Sequence, residues 1–322
     1  MLDFTRCIHY RALIANKFIQ GGNMKKLTVF LALIFTLLFL SAGITAYADD
    51  TAVMEKTLVL TKDDLTNAGA TTLILFFEIG GAKVNIVQGT DENIICQAVV
   101  RYSVDSLEPI LTKKTKDGTY TATFESGKII GQQPPDITHE WEITIGKYDT
   151  DTDLFFALGG VVADVDLGGM PLKNLALDLG GVSMSIDFSS PTTRTVENVI
   201  GGGGGVYLAM MNIGNTNFQK FVLTGGGCAF DLDFHGAFQT GKHYVGIVLA
   251  AFDLNATVPA GAGEQVKVYS MVAPLIVTGE GWEKVVQRPT YKQYITDDYD
   301  TQGIQINFNI TAIASNVLID RN

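Results

Sequence analysis

Hydrophobic and polar residues alternate with period two along residues 154–188, LFFALGGVVADVDLGGMPLKNLALDLGGVSMSIDF. Leu175, Leu177 and Leu179 fall on one side, Ala176 and Asp178 on the other. After Gly180-Gly181, Val182, Met184, Ile186 and Phe188 alternate with Ser183, Ser185 and Asp187. Side chains of a β-strand point alternately to opposite faces, so this pattern predicts strands with one buried face. The same unit returns at 161–167, 206–210, 228–234 and 248–258. Aligning Val161, Val182, Val206 and Cys228 gives spacings of 21, 24 and 22 residues. A repeat of that length predicts a solenoid, in which each rung buries its apolar face only by stacking on its neighbours.

The rest of the chain uses the same grammar less regularly. Residues 58–61, 72–89, 94–104 and 140–145 read as strands, and 108–126 as a hairpin turning at Asp117-Gly118. Residues 127–136, with Gly131 and Pro134-Pro135, read as a loop. The glycine runs 201–205 and 225–227 read as connectors, as does 189–194. An insert carrying Trp282, Arg288, Pro289, Tyr291 and Tyr294 follows the strand at 269–277, and 304–310 resumes alternation. Only 63–68 and 196–199 hint at helix, which excludes the strand–helix alternation of a doubly wound fold. The expected class is all-β: a single-stranded β-helix or solenoid-like stack of short strands with Gly-rich corners. Its regular repeats span 154–260. A less regular β region at 49–153 is a cap or the start of the solenoid, and 261–322 holds a second β region with the insert and a cap.

Composition adds an address. Residues 24–48 begin with Lys25-Lys26, continue through a long apolar run and end in Ala46-Tyr47-Ala48, the layout of a secretory signal peptide. Residues 1–23 do not resemble the start of an exported protein, so Met24 is the expected first residue. Beyond residue 48 the chain has 18 basic and 33 acidic residues. That balance repels nucleic acid and anionic lipid. The expectation is an exported protein, periplasmic, surface-associated or secreted, with no stable membrane insertion once the signal is removed. Cys96 and Cys228 lie in strand patterns and are expected to be separate buried thiols, no spacing indicating a disulfide.

Little in the sequence points to catalysis. Residues 201–205 lack the Lys-Ser/Thr and the following helix of a phosphate-binding loop. Asp164, Asp166, Asp178, Asp187, Asp231, Asp233 and Asp253 should project outward and keep the strand surfaces soluble. No cofactor is expected. If a cation is held it is calcium, which takes oxygen ligands, and the best local cluster is Asp149, Asp151 and Asp153 in YDTDTD. No carboxylate pair stands out for glycosidic cleavage. Aromatic residues on inserts suit contacts with sugars or proteins, which makes Trp282, Tyr291 and Tyr294, with Tyr299 nearby, the candidate ligand-binding residues.

The runs LFFEIGGAKVNIVQG, VVRYSV and WEITIG, followed by residues 154–188, carry a resemblance. An aliphatic–acidic strand, a glycine pair, a short strand, an L-x-L-x-L run and a second glycine pair resemble the bacterial cell-surface toast-rack or "putative-adhesin" domains. These are related to the C-terminal domain of LiaF-type cell-envelope stress regulators. The match covers most of 73–258 and is strongest at 154–188. The resemblance implies a β-helix-like fold at the cell envelope and brings no catalytic residues. The chain departs from the LiaF type in having a signal peptide and no multi-helix membrane region. The expected function is therefore non-catalytic binding of an envelope protein or glycan. The alternatives are a structural or stress-sensing partner in an envelope complex and a polysaccharide-active β-helix enzyme.

Overall fold

In the computed structural model, residues 52–127, 137–250, 253–270 and 274–322 are described. The expected signal peptide, the segment before it and most of the loop at 127–136 lie outside the described residues. The chain opens with β1 (Met54–Thr61), α1 (Lys62–Ala68), β2 (Thr72–Gly80) and β3 (Lys83–Gln88). It continues through β4 (Ile94–Tyr102), β5 (Ile110–Lys116), β6 (Thr119–Glu125) and β7 (His139–Ile145). Four strand pairs follow: β8 (Asp151–Gly159) with β9 (Val162–Asp166), β10 (Leu172–Gly180) with β11 (Ser183–Asp187), β12 (Asn198–Gly204) with β13 (Tyr207–Met211), and β14 (Lys220–Gly226) with β15 (Ala229–Asp233). Next come β16 (Gly241–Ala250), β17 (Asp253–Val258), β18 (Gly263–Ser270) and β19 (Leu275–Thr278). The chain closes with β20 (Trp282–Arg288), β21 (Tyr291–Thr296), β22 (Ile304–Ile313) and β23 (Asn316–Arg321).

Each rung sends its first strand to one sheet and its second to another, so two sheets face each other across one continuous core. The first sheet, of twelve strands, runs β20-β21-β18-β22-β16-β14-β12-β10-β8-β2-β6-β5. The second, of eleven, runs β1-β4-β7-β3-β9-β11-β13-β15-β17-β23-β19. The solenoid-like stack expected from the alternation is the observed fold. The register follows the repeat: Val162, Ser183, Tyr207 and Ala229 are successive partners, each one residue past the aligned Val161, Val182, Val206 and Cys228.

Glycine makes the corners. Gly81, Gly160, Gly181, Gly205 and Gly227 sit between the two strands of their rungs with φ between +58° and +74°, a left-handed conformation that costs a side-chain-bearing residue about 1–2 kcal/mol. Their N–H groups continue the ladder across the bend: Gly160 donates to Gly180 O at 2.8 Å and Gly181 to Gly204 O at 3.0 Å.

The run 201–205 differs from its expected role as a connector. Gly201–Gly204 belong to β12, and only Gly205 is the corner. Gly201 occupies the inward row shared by Phe156, Leu177 and Leu223. Leu177 and Leu223 close over the missing side chain, so that a Cβ would lie 2.9 Å from Leu223 Cδ2. A Cβ at Gly203 would run into the carbonyl of Leu179, and one at Gly225 would meet Cys228 Sγ at 2.6 Å. Gly201 therefore makes room for core side chains of the adjoining rungs, Gly203 for the backbone of one of them, and Gly225 for Cys228 of its own rung. Cys96 and Cys228 are both buried free thiols.

The ends depart from sequential stacking. At the start, β6 and β7 pair in parallel outside β2 and β3, while β8 and β9 pair on the other side. Antiparallel strands finish this end, β5 on β6 in the first sheet, and β4 on β7 with β1 on β4 in the second. The β5–β6 turn is the expected one, with φ of +51° at Asp117 and +75° at Gly118. The helical hint at 63–68 is α1, closed by a Thr61–Asp64 capping box; the hint at 196–199 instead leads into β12.

At the far end, β22 lies between β16 and β18, and β23 between β17 and β19. The last strand pair of the chain is thus inserted inside the stack. The insert carrying Trp282 is an ordered antiparallel hairpin, β20–β21, that extends the first sheet beyond β18.

A buried charge cluster ties this end together. Arg321 on β23 donates to Asp298 Oδ2 at 2.8 Å, to Ala260 O at 2.9 Å and to Glu280 O at 2.9 Å. Its Nε lies 3.0 Å from Glu264 Oε2 without the alignment of a hydrogen bond, and neither Glu264 oxygen finds a hydrogen-bond partner. Glu264 is 0% exposed. Its carboxyl is pushed up to about 8, chiefly because burial disfavours the charge; Arg321 opposes that rise and Asp298 adds to it.

Candidate functional site

Alternation along the hairpin separates the sequence-predicted aromatic residues. Tyr294 pairs with Val266 and Trp282 with Thr296, placing both with the inward residues, where they pack on the core. Tyr291 pairs with Tyr269 on the opposite, outward face, their ring centroids 4.8 Å apart. The three therefore do not converge. Trp282 also donates from Nε1 to Thr278 O at 3.0 Å, closing the turn between β19 and β20.

The acidic trio is engaged by neighbouring side chains. Arg194 donates from Nη2 to Asp149 Oδ1 at 2.8 Å and from Nε to Asp151 Oδ1 at 3.0 Å. Asp153 accepts from Asn174 Nδ2 at 2.7 Å, and Asn174 in turn accepts from Asn198 at 2.9 Å. Among the described residues no three His, Cys, Asp or Glu side chains gather as a metal site. The outward acids hold polar neighbours across rungs: Asp231 accepts from Tyr207 at 2.7 Å and from Asn255 at 2.7 Å, and Asp253 from Asn316 at 2.7 Å. Asp164, Asp166, Asp187, Asp231, Asp233 and Asp253 share the second sheet, whereas Asp178 lies on the first.

Two depressions mark the surface. One, of about 420 Å³, follows the glycine corners at Gly160, Gly181 and Gly205, beside Val162 and Tyr207. It is a flat apolar strip whose Tyr207 hydroxyl is already given to Asp231. The other, of about 320 Å³, lies on the outer face of the first sheet near its C-terminal end.

The second depression is built by three adjacent strands. Strand β16 supplies Lys242 and Tyr244, β22 supplies Asn307 and Asn309, and β18 supplies Gln265 and Lys267. Tyr299, from the turn between β21 and β22, forms a wall. Its hydroxyl donates to Asn307 Oδ1 at 2.6 Å, while Asn309 Nδ2 donates to the Tyr244 hydroxyl at 3.3 Å. The Tyr244 ring lies across Gly246, where a Cβ would sit 3.4 Å from Tyr244 Cε1. Lys242, Lys267 and Gln265 have no ion pair or side-chain hydrogen bond among the described residues. Tyr269 continues the outward row of β18 two residues beyond Lys267 and carries Tyr291 beside it. Tyr291 donates to Gln293 Oε1 at 2.9 Å. The face thus joins phenol rings, amides and ammonium groups. Of its aromatic residues the sequence had singled out Tyr291 and Tyr299; Tyr244 and Tyr269 sit in ordinary strand patterns that hide them.

The family model for the N-terminal domain of toast_rack, DUF2154, matches residues 49–207. Residues 49–207 belong to the toast-rack family. The toast-rack match takes in α1 and β1 to β12 and ends at the start of β13, so the Tyr244 depression lies C-terminal to the matched segment. A "putative cell adhesion protein" from Clostridium sporogenes ATCC 15579 is similar in structure at 15% identity and a TM-score of 0.43, over 84% of this chain and 100% of its own. A "putative adhesin" from Bacteroides fragilis NCTC 9343 aligns at 9% identity and a TM-score of 0.38, over 85% of this chain and 98% of its own. A "putative lipid binding protein" from Parabacteroides distasonis ATCC 8503 aligns at 9% identity and a TM-score of 0.29, over 85% and 98%. No curated protein matches the chain. Among the described residues no helix is long and apolar enough to cross a membrane.

Proposed function

We propose that this toast-rack protein is exported and binds a component of the cell surface or envelope without catalysis, through the outer face of its first sheet at the C-terminal end. The observation that carries the reading is the convergence of Tyr244, Asn307, Asn309, Gln265 and Lys267 on three adjacent strands, with Tyr299 walling them from the turn before β22. Phenols and amides hold a polar ligand by flat contact and paired hydrogen bonds, and side chains on a rigid sheet lose little freedom when they do so. Tyr269 and Tyr291 extend the contact face. Trp282 and Tyr294 serve it indirectly by fastening the hairpin that carries Tyr291. Export is supported by the leader-like segment at 24–48.

The test is retention on immobilised envelope extract. The wild-type protein should be retained, and a Tyr244→Ala/Tyr299→Ala double variant with an unchanged unfolding midpoint should pass through. Equal retention of the two proteins would place binding elsewhere. Retention of neither would remove the reading.

A further inference from the structure

The Tyr244 depression differs in charge from the chain around it. The protein carries 34 acidic and 23 basic residues, yet the residues lining this depression include two lysines and no carboxylate. Asp298, next to the Tyr299 wall, is turned to Arg321 and Gln302. Some lysines of the chain are paired with an acid, as Lys56 is with Glu108 and Lys113 with Asp64. Lys242 and Lys267 are not. The two lysines lie on either side of β22, on β16 and β18, Lys242 level with Gln305 and Lys267 with Asn309, and so stand at opposite ends of the depression with Asn307 between them.

The other lining groups narrow the ligand. The Tyr244 ring is laid over Gly246, and a flat aromatic surface suits the C–H face of a pyranose. Asn307 has given its oxygen to Tyr299 and keeps its N–H₂ group for an acceptor, while Gln265 offers both a donor and an acceptor. Hydroxyl-bearing rings satisfy such amides. A volume of about 320 Å³ is at the small end of ligand pockets, which run from roughly 300 to 1,000 Å³. It is open to solvent along the sheet, so a unit within a longer chain can enter without a terminal end.

Resting on the surface-binding reading above, we propose that this depression binds a pyranose ring carrying one negative group, as found in acidic polysaccharides. The ring lies on Tyr244 against the Tyr299 wall. Its hydroxyls meet Asn307, Asn309 and Gln265, and its anionic substituent meets Lys242 at one end of the depression or Lys267 at the other. The anion is a carboxylate or a phosphate, since lysine recognises both as a point charge.

Saturation-transfer and titration NMR on the protein with D-glucuronate, D-glucose 6-phosphate and D-glucose tests this. At least one anionic sugar should bind ten-fold or more tightly than glucose, and the tighter of the two identifies the anion. The preference should fall to near unity in Lys242→Gln/Lys267→Gln, whose unfolding midpoint should match that of the wild type, and it should weaken in 1 M salt. Tyr244→Ala should lose both classes of sugar. Equal affinity for glucose and both anions, or a preference that survives in the double glutamine variant, would overturn the proposal. So would absence of transfer from all three sugars. If the sugars fail while envelope extract still distinguishes the wild type from Tyr244→Ala/Tyr299→Ala, the sugar assignment falls and the surface-binding reading stands.

Discussion

The middle of the stack and its C-terminal end solve one problem in different ways. From β8 to β17 each rung lies on the one before it and all neighbours are parallel, and in the four rungs from β8 to β15 a left-handed glycine turns the chain between sheets. Every middle rung satisfies its backbone and core through its neighbours, so similar units can be added one after another. The end has no further neighbour. There the chain folds β18 to β21 first in sequence, returns to insert β22 and β23, and fastens the arrangement with Arg321, the penultimate residue. Repetition stabilises the middle; a buried charge cluster and an antiparallel hairpin close the end. The difference also places the binding face, because β16, β18 and β22 become neighbours only through the insertion.

The largest effect should come from breaking the fastening. Removing one partner of a buried ion pair costs about 3–5 kcal/mol, so Arg321→Ala should release β22 and β23 and expose the edges of β16 and β18. Hydrogen exchange should rise at the C-terminal rungs and leave β8 to β13 protected, as expected of a stack held by nearest-neighbour contacts. Uniform loss of protection would contradict the separation of middle from end.

Next is a contrast within the middle. Gly203→Ala drives a methyl group into the Leu179 carbonyl and should cost about 1–3 kcal/mol or more. Gly181→Ala, strained by its φ of +63°, should cost about 1–2 kcal/mol. Gly180→Ala, next to it but with open space around its Cβ, should change stability by less than about 1 kcal/mol. Urea denaturation of the three variants reads the order, and equal losses would show that glycine is not needed for the reasons given.

A pH series sharpens the account of the end. Glu264 titrates near 8 in the folded protein and near its ordinary 4.5 when unfolded. Between those values the folded state holds a proton that the unfolded state has released, so this group's contribution falls as pH rises. Glu264→Gln cannot titrate. Its stability relative to wild type should therefore improve from pH 5 to pH 8, by on the order of 3 kcal/mol. Thermal unfolding curves that shift in parallel across that range would contradict it. The smallest expected effect is at Gly246→Val, which should lift the Tyr244 ring and weaken sugar binding several-fold while leaving the unfolding midpoint nearly unchanged.

Much of the middle was legible because its signals are local. Period-two alternation assigned Leu175, Leu177 and Leu179 to the core, and the pairs Gly159-Gly160 and Gly180-Gly181 marked corners. The glycines at 201–203 misled because their reason lies in other rungs, in Leu177, Leu179, Leu223 and Thr224. The ends were harder for the same reason. Nothing near Ile304 signals that its strand will separate β16 from β18, and nothing near Arg321 signals partners as far off as Ala260, Ala262, Glu264, Glu280 and Asp298. Tyr291 was visible as an aromatic in an insert, but its separation from Trp282 and Tyr294 required knowing that the insert is a hairpin with two faces. Asp149 and Asp151 looked like cation ligands until Arg194, more than forty residues on, was placed between them.

The most direct test of the central claim, that binding belongs to the C-terminal face and scaffolding to the middle, is retention on immobilised envelope glycan. Tyr244→Ala/Tyr299→Ala should be compared with Phe155→Ser, which alters the outward face of the same sheet at the middle rungs, where Phe155 stacks on Phe76. The account predicts that the tyrosine variant is lost from the column while the Phe155 variant is retained like wild type. Loss of the Phe155 variant with retention of the tyrosine variant would contradict it.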